Sequence, residues 1–134
     1  MLKAAPTDIQ ASITAHFAKG AALGGQGKWA DAIEAYRKCV ELDPENSKAW
    51  AALGSACFRS GDYNGAIPMY RKTIELDPSH AEGRIWFSLS HCLEKKNDII
   101  GAIKATEEYI RRGDPDGDGE YRLAELRAKL ETTQ

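Results

Sequence analysis

This sequence predicts an all-α chain of repeated antiparallel helix pairs, and three observations carry that prediction. Asp-Pro closes a segment at Asp43-Pro44, at Asp77-Pro78 and again at Asp114-Pro115, and the first two closures lie 34 residues apart. Between closures the same residue types return at matching places. The middle segment has Trp50, Leu53, Gly54, Cys57, Ala66 and Tyr70; the one before it has Gly20, Ala32 and Tyr36; the one after it has Trp86, Leu89, Ser90 and Ala102. Apolar periodicity between the breakers then places helices near 8–26, 29–42, 47–60, 63–76, 81–96, 99–112 and 118–131.

Each element has its own local justification. Asp31, Asp62 and Asp98 sit at or near the starts of the second helices, where a carboxylate favours exposed N–H groups. Pro68 is expected in the first turn of its helix, where the missing N–H costs little. Asp-Pro ends helices because proline disfavours the helical conformation in the residue before it. Gly20, Gly54 and Ser90 are small where the two helices of a unit approach, and Ala32, Ala66 and Ala102 are small on the facing helix. Trp50 and Trp86 are expected to fill the space between adjacent units. The third unit departs from the others: it has two extra residues near Ser79-His80, and Thr106 stands where the others have an aromatic. In the first unit His16 replaces the tryptophan, and Trp29 matches Tyr63 of the second. Gly24-Gly25-Gln26-Gly27 is unusual at a helix end and admits two readings, a frayed terminus or a surface open to close ligand approach. The final segment carries Leu123, Leu126 and Leu130 on one stripe among Lys and Arg, as a terminal helix with a polar outer face requires.

Over roughly residues 12 to 115 these motifs and this period resemble the tetratricopeptide repeat, a helix-turn-helix unit. The resemblance implies a right-handed superhelical solenoid of antiparallel helix pairs. It also implies a single domain over 1–134, with repeats at about 13–46, 47–80 and 83–116 and a capping helix at about 118–131. Proteins of this family serve as interaction scaffolds, so a non-catalytic adaptor is expected.

Composition narrows the alternatives. A formal charge of −2 over 134 residues gives no basic nucleic-acid surface. Hydrophobic residues at 43% are enough for a packed core, and no apolar run approaches the length of a membrane span. Met1 to Ala11 holds only Leu2 and Ile9 as large apolar residues, unlike a secretory signal. Cys39, Cys57 and Cys92 are odd in number, form no C-x-x-C pair, and fall on inward helix faces. Free buried thiols in a reducing, cytoplasmic setting are expected.

Catalysis finds little support. His16, His80 and His91 lie far apart in sequence, and no nucleophile–base spacing or phosphate loop occurs. No cofactor is expected. One motif raises an alternative. Asp114, Asp116, Asp118, Gly119 and Glu125 satisfy the D-x-D-x-D-G-x5-E calcium-loop pattern, in which the carbonyl of Glu120 would add a further oxygen. A calcium-responsive module is therefore the alternative function. Against it, Asp114-Pro115 repeats the closure of the other units, and Asp and Gly are ordinary turn residues, so an acidic inter-helix turn is the preferred reading.

In tetratricopeptide arrays the first helix of each unit lines the concave face. Carried onto this chain, that face holds Phe17, Lys48, Ser55, Phe58, Arg59, Arg84, Phe87, His91 and Lys95, together with Thr14, Ala21, Gly24, Ala51 and Glu94. Lys48, Arg59, Arg84 and Lys95 stand there against Glu94 alone, in a protein that is acidic overall. The surface suits a protein or peptide with acidic and apolar residues. The family's carboxylate clamp for the EEVD tail of heat-shock chaperones falls on Phe17, Ala21, Ala52, Arg84 and Ser88. Only Arg84 keeps the required chemistry, so a heat-shock tail is not the expected partner.

Overall fold

The computed structural model describes residues 6–79 and 81–133. Seven helices follow one another in it: α1 (Pro6–Gly25), α2 (Trp29–Leu42), α3 (Ser47–Arg59), α4 (Tyr63–Leu76), α5 (Gly83–Lys95), α6 (Ile99–Arg111) and α7 (Asp118–Thr133). The expectations for Met1 to Ala5 and for His80 lie outside these residues. Packing is most extensive within the pairs α1–α2, α3–α4 and α5–α6; each pair then meets the next helix in sequence, and α3 also touches α5. Such a nearest-neighbour chain of contacts is what makes a solenoid.

The turns inside the three pairs share one device. Gly27, Gly61 and Asn97 occupy equivalent positions and have φ of 74°, 88° and 65°. Glycine adopts this left-handed conformation without penalty and asparagine with little. The next helix is then capped: Asp62 accepts from the Gly65 amide at 2.9 Å and Asp98 from Gly101 at 2.9 Å. The first turn of this kind is weaker. Lys28 precedes α2 without a side-chain cap, and Asp31 only sits in the first turn. α5 begins two residues later than its pattern suggested, because Glu82 has extended backbone and ends the preceding turn.

Close approach explains the small residues. A Cβ on Gly20 would lie 2.7 Å from the Tyr36 ring, and one on Gly54 would lie 3.0 Å from Tyr70. Ala32, Ala66 and Ala102 have no solvent exposure at all. The unit-three exception is coherent. Ser90 Oγ and Thr106 Oγ1 lie 2.6 Å apart, both within reach of the Ala102 carbonyl. Arg122 of α7 then makes the contact beside Ser90 that a tyrosine ring makes beside Gly20 and Gly54, donating from Nε at 2.9 Å. Its Nη1 pairs with Glu94 at 3.0 Å, and Lys129 of α7 pairs with the same carboxylate. The cap is thus held by a polar network as well as by buried Leu123 and Leu126.

Three expectations need adjusting. Pro68 is the sixth residue of α4, beyond the first turn. It lies on the exposed side of the helix, as does Asn64 four residues before it, whose carbonyl loses its helical partner. Trp50 and Trp86 are half-buried against the core rather than fully enclosed. Trp50 Nε1 donates to the Pro44 carbonyl at 2.8 Å, tying its helix to the preceding closure. The equivalent Pro78 carbonyl is taken by Arg112 Nη2 at 2.6 Å, so the buried Trp86 Nε1 has no partner. The glycine-rich end of α1 follows neither of its two readings as a whole. Gly24 leaves room for Trp29, whose ring a Cβ would approach to 3.0 Å, while Gly25 borders open space.

The paired glycines of α1 give a direct comparison. Gly25→Ala should raise stability by up to ~1 kcal/mol through helix propensity. Gly20→Ala should instead lower it by about 1–3 kcal/mol through overpacking against Tyr36. Urea melts of both variants check this, and equal stabilities would mean that the α1–α2 contact has slack. On α7, Arg122→Ala should cost about 1–3 kcal/mol by leaving buried polar partners unsatisfied. Exposed Arg127→Ala should stay within about 0.5 kcal/mol. The same melts read both, and equal losses would remove Arg122 from its place in the lock.

Candidate functional site

The first helices are built from small residues where they face one another, and this opens a groove. Ala51, Ala52 and Ser55 of α3 form its floor, and two adjoining clefts meet there. The first, about 320 Å³, is bordered by Phe17, Lys48, Ser55 and Arg84. The second, about 370 Å³, is bordered by Ser55, Phe58, Arg59 and Arg84 and by Trp29, Tyr36 and Tyr70. Phe87, His91 and Lys95 border neither cleft. They lie farther along the array, with His91 bridging Phe58 and Phe87 at ring separations of 6.4 and 4.8 Å.

The phenylalanines are half-buried and engaged within the protein. Phe17 meets Tyr36 edge-on at 5.3 Å, Phe58 meets Tyr63 at 5.5 Å, and Phe87 meets Tyr109 at 5.0 Å. The cations are held above rings: Lys48 over Phe17 at 5.2 Å, Arg59 over Trp29 at 5.3 Å and Lys95 over Tyr63 at 6.0 Å. Such contacts contribute only ~0.5–1 kcal/mol at exposed sites but restrict where a long side chain rests. Arg59–Trp29 and Lys95–Tyr63 are the same pair in successive units. The second-helix aromatics Trp29, Tyr36 and Tyr70 were absent from the face read from sequence. Their repeat equivalences, Trp29 with Tyr63 and Tyr36 with Tyr70, were their only signal.

The charge count on the face also changes. Arg84 pairs with Glu82, which lies just before α5. Glu94 is already matched by Arg122 and Lys129. Burial raises the Glu94 carboxyl, but hydrogen bonds from Lys129 and Arg122 outweigh it, and the group rests below its usual range. All three thiols are buried and free, and burial raises each, pushing Cys92 up to about 11, which disfavours the reactive thiolate.

Known proteins sharpen this picture. Residues 17–81 match the tetratricopeptide repeat family. That segment of the chain is tetratricopeptide-repeat sequence. The crystal structure of MamA protein superposes with a TM-score of 0.83 at 24% identity over 89% of this chain, which spans 64% of that one. A double mutant of MamA RS-1 gives 0.82 at 16% identity, covering 89% of this chain and 66% of its own. The first tetratricopeptide domain of Spaghetti (RPAP3), bound to the HSP90 peptide SRMEEVD, gives 0.81 at 20% identity, covering 90% of this chain and 94% of its own. At these identities the likeness is one of fold. No match is found among curated proteins.

Within this helical array the acidic stretch does not adopt the calcium-loop shape. α7 begins at Asp118, so Gly119, which that loop would use for its sharp turn, is already helical. Asp114 Oδ2 accepts from the amides of Gly119 at 2.9 Å and Glu120 at 3.2 Å, serving the start of the cap helix instead. Asp116, Asp118, Glu120 and Glu125 are exposed, and Arg122 between them turns into the core. Among the described residues, no group of three or more His, Cys, Asp or Glu is placed to hold a metal ion. No helix there is long and apolar enough to cross a membrane.

His91 gives the array a pH dependence. Burial is the main cause holding its imidazole below the usual range; Arg122 and Lys95 add to it and Glu94 opposes. The folded state thus favours neutral imidazole. The associated stability is fully present above the unfolded value of ~6.5 and is lost as pH falls through the folded one. Chemical melts between about pH 7 and pH 5 should show stability falling, and His91→Gln should flatten that fall. Glu94 loses its contribution only at lower pH, below the ordinary carboxylate value, so the two windows separate. An unchanged slope in His91→Gln would assign the dependence elsewhere.

Proposed function

We propose that this protein is a non-catalytic adaptor that binds a peptide segment or partner helix of another protein in the groove of its first helices. The observation that carries the reading is the groove itself. Repeat-related helices leave a floor of small residues between aromatic walls, with Lys48, Arg59 and Arg84 resting along its rim. Solenoids use extended faces of this kind for recognition. The groove suits acidic and apolar residues, because cations steer the encounter and half-buried rings hold the docked segment. The reading takes residues 13–46, 47–80 and 83–116 as the three repeats and 118–131 as the cap. Three buried free thiols support a reducing, cytoplasmic setting. A heat-shock EEVD tail remains a poor fit, since Phe17 and Ala52 line the groove where that tail needs hydrogen-bond donors.

The test fills the floor. Ser55 is exposed on α3 and borders both clefts, so Ser55→Arg should occlude them without disturbing the core. Cell-extract proteins retained by the unaltered chain should be lost from Ser55→Arg while both melt at the same temperature. For a purified partner the loss should be at least tenfold in Kd, about 1.4 kcal/mol. Equal retention by the two chains would move binding to another surface.

A further inference from the structure

The two clefts differ in charge. The first is bordered by Lys48 and Arg84 but also by the carboxylates of Asp77 and Glu82, so its formal charges cancel. The second is bordered by Arg59 and Arg84 and by no carboxylate. Three hydroxyls join it: Ser55, Ser88 and Tyr70, whose phenol donates to Ser55 Oγ at 3.4 Å. Arg59 rests over the Trp29 ring at 5.3 Å and forms no ion pair among the described residues. Arg84 meets Glu82 through Nε, which leaves the terminal nitrogens of its guanidinium as donors toward the cleft. In a protein of net charge −2, this is a local concentration of donors and positive charge beside an apolar wall.

We propose that the second cleft seats a side-chain carboxylate, Asp or Glu, of an extended peptide segment, held between Arg59 and Arg84. This rests on the groove-binding reading above and names the chemistry of its partner. A planar guanidinium donates two parallel hydrogen bonds to a carboxylate, and partial removal from water strengthens them. Ser88 and Ser55 supply further donors. In an extended chain, residues two apart share a face at roughly 7 Å, so an apolar side chain two positions away reaches the neighbouring cleft over Ala51 and Ala52. That cleft, being charge-balanced, takes the apolar residue. The seat is distinct from the chaperone-tail clamp described above. It shares Arg84, but Arg59 comes from the far end of α3, and the group it holds is a side chain rather than a chain terminus.

The probe is a positional-scanning library of acetylated, C-terminally amidated octapeptides, read by fluorescence anisotropy. Selected peptides should carry Asp or Glu with a large apolar residue two positions away. Replacing that Glu by Gln should weaken binding to the unaltered chain at least tenfold. In Arg59→Gln and Arg84→Gln, both exposed positions, the Glu-to-Gln discrimination should fall below threefold, whereas Lys48→Gln should keep it. Neutral selected peptides, or discrimination that survives both arginine substitutions, would overturn the seat while leaving groove binding intact. Gain of binding only when the C-terminus is a free acid would assign the seat to a chain terminus and overturn it too. No peptide retained by any chain would sink the groove reading and the seat together.

Discussion

Everything in this array depends on how closely the two helices of a unit can approach. A small residue on the first helix faces a ring on the second, as Gly20 faces Tyr36 and Gly54 faces Tyr70. The facing alanines are fully buried at the same contact. Interiors are packed at crystal density, so this contact sets the separation of the pair, and through it the angle at which the next pair stacks. The groove follows from the same economy of volume. The first helices that must be slim at their partners are also slim at Ala51, Ala52 and Ser55, and cleft space opens above them.

The third unit solves that packing problem differently and takes a partner from α7. Ser90 and Thr106 put hydroxyls where the other units have a hydrogen atom and a ring, and a buried hydroxyl pair asks for a further partner. Arg122 answers from α7 and brings Glu94 and Lys129 with it. The arrangement leaves its own debts: Trp86 Nε1, Arg122 Nη2 and Asp114 Oδ1 are buried without partners, all in the last unit or at the start of the cap. Units one and two contain no such orphan among the described side chains.

The aromatic and cationic residues of the groove also belong to the fold before they belong to any partner. Arg59 on Trp29 and Lys95 on Tyr63 fix long side chains that would otherwise sweep through solvent, which lowers the entropy lost when a partner docks. Phe58 and Phe87 likewise meet a partner as rings already fixed in place, since each packs edge-on or tilted against a neighbour.

The helix pairs, their order and the identity of the close contacts were legible in the sequence, because they rest on local rules. Asp-Pro closures, first-turn carboxylates and recurring small residues act within a few turns of chain. The cap was legible too, as an apolar stripe of leucines. What the sequence left open required neighbours from elsewhere in the chain. The stretch Asp114 to Glu125 opens a helix in which Asp114 accepts from the Gly119 and Glu120 amides and Arg122 reaches Ser90, 32 residues away. Which cations face free space was decided by Glu82 and α7, not by their own helix faces. That Trp29, Tyr36 and Tyr70 wall the groove emerged only when second helices were laid against first ones. A repeat pattern specifies each residue's place within its unit; the charge and shape of the groove between units are properties of the stack.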